Sequence, residues 1–262
     1  MDFGLNDKVA LVAGASAGLG FAAAKTLFEE GTRIAICSSN QERIDKAAAS
    51  LSDDTGIVLP VVCDLTREDQ IKTLIDKTES HFGKIDILVT NCGGPPLGTH
   101  EKLTEKEWEL AYNLTFMSAI RLINGSLPGM KDRKFGRIIL ITSMAAKQPI
   151  PNLMLSNSYR AGLLGFAKTL SLEVAEKGIT VNTVLPGYTA TERLDYFAQE
   201  IIKQTGQSRE ETYSGWQQTI PVKRLGKPEE LGALITFLAS HQAAYITGIA
   251  IAADGGRSAG II

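Results

Sequence analysis

The sequence predicts one doubly wound α/β domain over residues 1–262, a parallel sheet of about seven strands with helices on both faces. Three observations carry this. Short β-rich runs alternate with stretches of helical periodicity along the chain, and no Pro/Gly/Ser-rich linker or shift in composition divides it. Runs such as Ile85-Asp86-Ile87-Leu88-Val89 are nearly continuous in apolar residues, as a strand is when cover lies on both of its faces. The first run turns on glycines directly into a helical pattern, which is how a βαβ unit begins.

Taken in order, Val9–Ala13 is the first strand, Gly14-Ala15-Ser16-Ala17-Gly18-Leu19-Gly20 the turn, and Phe21 to Phe28 the helix behind it. Arg33–Cys37 is the second strand, followed by a helix that Asn40 can cap. Ile57–Cys63 is the third, with the next helix starting at Thr66 and Asp69 in its first turn. After the fourth strand, Ile85–Thr90, Thr104 with Glu107 three residues on forms a capping box. Arg137–Thr142, Thr180–Leu185 and Gly248–Ala252 complete the strands. The segment 188–218 is long and carries an apolar stripe of Leu194, Phe197, Ile201 and Ile202 before Tyr213 and Trp216, which suits a cover over the carboxyl edge of the sheet, where ligands of such folds bind.

Composition narrows the partners. With 27 basic and 29 acidic side chains the net charge is -2, so no basic field recruits nucleic acid or an anionic membrane. No apolar run approaches the length of a membrane span, residues 1–8 lack the basic and apolar regions of a signal peptide, and a cytoplasmic location is expected. Cys37, Cys63 and Cys92 are odd in number and form no C-x-x-C pair; they read as small buried hydrophobes, with a reactive thiol at the sheet's carboxyl edge left open. His81, His100 and His241 have no partner at ligand spacing, so no metal site is expected.

The Gly14–Gly20 turn is suited to a nucleotide pyrophosphate, because a glycine turn lets backbone N–H groups approach phosphate oxygens at the positive end of a helix dipole. Its spacing is Gly-x-x-x-Gly-x-Gly. With Asp64-Leu65, Thr90-Asn91-Cys92-Gly93, Asn113, Ser143, Pro186-Gly187, the stretch Arg224 to Glu230 and the ending Thr247-Gly248 to Asp254-Gly255-Gly256, the whole chain resembles the short-chain dehydrogenase/reductase family, and within it the 3-oxoacyl-acyl-carrier-protein reductase branch. The resemblance implies a Rossmann-like fold, a homodimer or homotetramer joined through the helix from Ser156 to Lys177 and the C-terminal segment, and hydride transfer between a nicotinamide cofactor and a small carbonyl or alcohol. It further implies that Gly14, Ser16, Gly18, Leu19 and Gly20 hold the pyrophosphate, Asp64 and Leu65 the adenine, and Asn91 and Gly93 the adenosine-side ribose, while Pro186, Gly187 and Thr191 flank the nicotinamide. The second strand ends Cys37-Ser38-Ser39-Asn40 with no carboxylate to repel a 2′-phosphate, which favours NADP over NAD, with Ser38, Ser39, Asn40 and Arg43 as donors.

The chemical positions depart from the family pattern. Aligning Ala161-Gly162-Leu163-Leu164-Gly165-Phe166 with the same helix of relatives places Ser156 at the tyrosine position and Arg160 at the lysine position, and Ser143, thirteen residues before Ser156, then falls at the catalytic serine. A phenol of ordinary pKa about 10 can be drawn toward neutrality by a cation, whereas an alkyl hydroxyl cannot ionise usefully. Arg160 can hold ribose hydroxyls, but a guanidinium keeps its proton and so relays none. Ser143 is expected to orient the carbonyl, and Asn113 to stabilise a water that links the cation to solvent. The proton donor stays open at this level. Tyr159, one turn along the same helix, is one candidate, and a catalytically silent nucleotide-binding protein is the rival reading.

Overall fold

The computed structural model describes residues 2–52, 54 and 56–260. Seven strands, β1 (Val9–Val12), β2 (Arg33–Ser38), β3 (Val58–Val62), β4 (Ile87–Thr90), β5 (Gly136–Ile141), β6 (Ile179–Pro186) and β7 (Ala250–Ala253), form one sheet in the order β3-β2-β1-β4-β5-β6-β7. Every pairing is parallel. Between them run α1 (Gly18–Glu29), α2 (Gln41–Leu51), α3 (Glu68–Phe82), α4 (Glu105–Ala111), α5 (Ser118–Arg133), α6 (Met154–Val174), α7 (Glu192–Thr205), α8 (Arg209–Thr219) and α9 (Pro228–Ala239).

Strand residues point alternately to opposite faces and so feed two separate cores. Leu11, Leu88 and Leu140 pack with residues of α3, α5 and α6 on one face, and Ala10, Val12 and Val89 with residues of α1, α2 and α9 on the other. Strand order reverses between β1 and β4, and the crevice at their carboxyl ends is the topological switch point where such sheets bind ligands. The stripe on α7 does not join either large core. Leu194 and Ala198 of α7 pack with Trp216 of α8 in a small cluster completed by Tyr188, Phe197, Ile201, Tyr213 and Leu225.

Two boundaries differ from the sequence reading for local reasons. The helix expected to start at Thr66 is capped at Arg67, because the Thr66 hydroxyl donates to Asp64 Oδ1 at 2.8 Å. The Thr66 backbone N–H also goes to Asp64 Oδ1, at 2.9 Å, which holds a turn before the helix. The fourth strand begins at Ile87 and not Ile85, since the buried Asp86 carboxylate accepts from Val9 N at 3.1 Å and pairs with Lys84 at 2.8 Å. Asn40 caps α2 through Arg43 N at 2.9 Å, and Thr104 and Glu107 form the capping box of α4. Between α4 and α5 the helix widens into a π turn over Tyr112–Met117, and Asn113 lies in it.

Candidate active site

A cavity of about 720 Å³ opens along the carboxyl edge of the sheet. Its nucleotide end is built by the loop from β1 to α1. Ala17, the N-cap of α1, offers no side-chain hydrogen bond, so the first-turn N–H groups have no acceptor within the helix and are suited to an anion. Gly14, Ser16, Gly18 and Leu19 line the cavity, and Gly18 adopts φ +60° opposite the Thr191 side chain. Gly20 lies behind the lining, where a Cβ would collide with Gly14 O and Asn91 Nδ2. Its role is to let helix and loop close together. Asn91 donates Nδ2 to Gly14 O at 2.9 Å and so braces the loop from the end of β4. These groups fit a dinucleotide pyrophosphate.

At the far side of the same end lie Ser38, Ser39, Asn40, Arg43, Asp64 and Leu65. Asn40 is committed to capping α2, and Ser38 Oγ accepts from Asn40 N at 3.3 Å. Arg43 reaches across to Glu192 at the start of α7, N to O 2.6 Å. Gly93, Pro186, Gly187 and Thr191 line the middle.

The chemical end lies where β5 meets α6. Ser143 caps the short 3-10 turn Met144–Ala146, accepting from Ala145 N at 3.1 Å, and its hydroxyl lines the cavity. Ser156 and Arg160, one turn apart on α6, also line it, and both are buried. Arg160 Nε donates to Ser156 Oγ at 3.1 Å, while Nη1 donates to Thr142 O at 2.9 Å and Ile141 O at 3.3 Å. The guanidinium is thus anchored on the end of β5, with Nη2 outside those three bonds. The structure brings Ser143, Ser156 and Arg160 together but not Asn113 and Tyr159. Asn113 Nδ2 donates to Glu109 O at 3.1 Å and its Oδ1 accepts from Arg121 at 3.3 Å. Tyr159 donates its hydroxyl to Trp108 O at 3.1 Å, among Trp108, Tyr112 and Phe116, and is not part of the cavity wall. Burial raises the Tyr159 phenol above its ordinary value, with Tyr112 adding to the shift. The Tyr159 hydroxyl thus lies in a packed aromatic cluster, apart from Ser143 and Arg160.

Among the lining side chains that were not singled out as site residues from the sequence, three carry chemistry at this end. Cys92 was expected to be a small buried hydrophobe, yet it lines the cavity; burial pushes the thiol up, opposed by the nearby Arg160 charge. Arg193 of α7 lays its guanidinium against Gly94 and donates to Pro95 O at 2.9 Å. Burial lowers its pKa, and the like charge of Arg160 adds to that. Among the described residues neither Arg160 nor Arg193 has an ion-pair partner. Tyr188, directly after Pro186-Gly187, is the third. The glycine pattern and strand ends gave positions along the chain, whereas these three depend on contacts across it.

A family profile described as enoyl-(acyl carrier protein) reductase matches residues 14–258. Dehydrogenase/reductase SDR family member 4 of Bos taurus is 32% identical over 253 residues, covering 96% of this chain and 88% of the relative. The chain belongs to the short-chain dehydrogenase/reductase family. Within this family, a 3-oxoacyl-[acyl-carrier-protein] reductase of Chlamydia muridarum is 30% identical over 255 residues, covering 97% of this chain and 98% of the relative. Among solved structures, L-sorbose reductase from Gluconobacter frateurii, complexed with NADPH and L-sorbose, superposes with a TM-score of 0.94 at 34% identity over 100% of both chains.

Proposed function

We propose that this short-chain dehydrogenase/reductase is an NADP-preferring oxidoreductase that interconverts a small carbonyl and its alcohol, in the manner of 3-oxoacyl reductases. The observation that carries the reading is that the uncapped start of α1 and the Ser143 hydroxyl open on one cavity. When bound, the reduced nicotinamide supplies the hydride. The Gly14–Gly20 loop holds the pyrophosphate, Ser38, Ser39 and Arg43 take the 2′-phosphate, and Asp64 and Leu65 border the adenine. Asn91 and Gly93 meet the adenosine-side ribose, and Arg160 anchors the nicotinamide-side ribose through Nη2. Ser143 donates to the carbonyl oxygen, while Ser156 serves chiefly to seat Arg160. The first turns of α7 cover the site and exclude water, with α8 packed behind them. Solved relatives complexed with NADPH, and another described as an NADPH dependent reductase, support the cofactor choice.

A homo-oligomer joined through α6 and the C-terminal segment belongs to this reading on the family resemblance. No helix among the described residues is long and apolar enough to cross a membrane. The location proposed with this function is the cytoplasm.

The absence of a phenol at Ser156 favours a second reading, a catalytically silent nucleotide-binding protein. NADPH and NADH oxidation against a panel of carbonyls, run beside a fluorescence titration of cofactor binding, separates the two. Turnover with NADPH supports the enzyme, tight binding without turnover supports the silent protein, and no nucleotide binding defeats both.

A further inference from the structure

Carbonyl reduction needs a proton for the oxygen as well as a hydride for the carbon. On the family pattern a tyrosine beside a cation gives it, and Ser156 with Arg160 has lost the phenol. A phenol of the cavity wall nevertheless meets a guanidinium at another place. Tyr188 lines it, and its hydroxyl oxygen accepts from Arg257 Nη2 at 3.3 Å. The Arg257 guanidinium also lies 4.4 Å from the centre of the Tyr188 ring, and Trp216 stacks on that ring with centroids 5.0 Å apart.

The pair is held firmly and close to the chemistry. Arg257 Nη1 contacts Met144 Sδ at 2.8 Å and Nε donates to Thr219 Oγ1 at 3.3 Å. The turn that carries Arg257 is fixed by the Asp254 carboxylate, which accepts from Gly256 N at 2.9 Å and Ser258 N at 2.7 Å. Met144 directly follows Ser143. Strands β5 and β6 run in register with Ile141 opposite Val184, so Ser143 stands level with Pro186 and Tyr188 follows two residues on. Among the described residues nothing accepts the Tyr188 hydroxyl's own proton, whereas the Tyr159 hydroxyl is spent on Trp108 O.

We propose that Tyr188, held by Arg257, is the proton donor of this enzyme, an inference that rests on the reductase reading above. The carbonyl carbon receives the hydride supplied by NADPH and the C=O π pair moves onto the oxygen. That oxygen takes the proton of Tyr188 Oη, and the O–H bond of the phenol breaks. The phenolate left beside the Arg257 guanidinium regains a proton from water, so the net reaction consumes one NADPH and one proton per carbonyl. Arg257 is a positioning residue that also stabilises the charge left on the phenol oxygen.

The test uses Tyr188→Phe, which keeps the ring against Trp216 and Arg257. Single-turnover reduction should fall about a hundredfold, the low end of what a general acid supplies. Affinity for NADPH, and for the alcohol product in the unreactive complex with NADPH, should stay within twofold by fluorescence and calorimetric titration. Arg257→Met should lower the rate about tenfold and Arg257→Lys should recover most of it. Retention of the rate by Tyr188→Phe, or a loss that falls wholly on ligand affinity, overturns the proposal while leaving the reductase reading intact. A wild-type protein that binds NADPH yet reduces no carbonyl overturns both, and is recognised before any variant is made.

Discussion

Where the cavity meets β1 and β2 it is lined largely by backbone and small side chains, whereas at β5 and α6 its chemistry belongs to individual side chains. The first end is specified by conformation: Gly18 at φ +60°, Gly20 against Gly14 O, and an α1 without a side-chain cap. Such a surface depends on a few glycines and tolerates change elsewhere. The second end depends on which functional groups are present, and there Ser156 and Arg160 satisfy one another and the carbonyls of Thr142 and Ile141. Binding and chemistry can therefore diverge within one cavity, the first persisting while the second is rebuilt from other residues.

The largest effect is expected from Gly18→Asp. A side chain at that positive φ is strained, and its carboxylate would face the bound pyrophosphate, so NADPH affinity should fall about a thousandfold, or about 4 kcal/mol, with the circular dichroism of the fold retained. Unchanged affinity would remove the backbone end from the binding site. Next, Ser143→Ala should lower the reduction rate about a hundredfold through loss of a donor to the carbonyl oxygen, while NADPH titrates normally. An equal loss of both would mean that the two ends are not separable.

The chemical end is isolated in the Tyr188→Phe background. There, Ser156→Tyr with Arg160→Lys should restore carbonyl reduction by some tens-fold, since a phenol beside a cation returns to the chemical end. No recovery in a folded, NADPH-binding protein would place the proton supply elsewhere. A smaller effect is expected from Ser38→Asp. The new carboxylate can still accept from Asn40 N, but it repels a 2′-phosphate, so the NADPH-to-NADH affinity ratio should drop about tenfold and invert. Smallest of all, Tyr159→Phe should leave turnover within twofold and cost about 1 kcal/mol in urea unfolding, the worth of its bond to Trp108 O. A collapse of turnover would return Tyr159 to the chemistry.

Periodic features were legible in the sequence because they follow from local rules. All seven strands fall within two residues of their expected positions, and the caps at Asn40 and Thr104 act as their side-chain chemistry dictates. Thr66 misled because its hydroxyl had a nearer acceptor in Asp64 than in the helix. At the site, motif spacing located Ser143, Ser156 and Arg160. The partnership of Tyr188 with Arg257 joins the end of β6 to a turn after β7, and Arg193 meets Pro95 from a helix nearly a hundred positions away. No periodicity encodes such pairs. Cys92 shows the same limit, since apolar strand ends look alike whether their last side chain enters the core or the cavity.

Helix α7 is moored at one end on both banks of the cleft. Glu192 ties it to Arg43 beside β2, and the adjacent Arg193 ties it to Pro95 beyond β4. Both contacts fall in the first turn of the helix, so the tip of α7 nearest the dinucleotide is referenced to the two halves of the sheet at once, and a change in the spacing of either bank is felt directly by the helix that lies over the site.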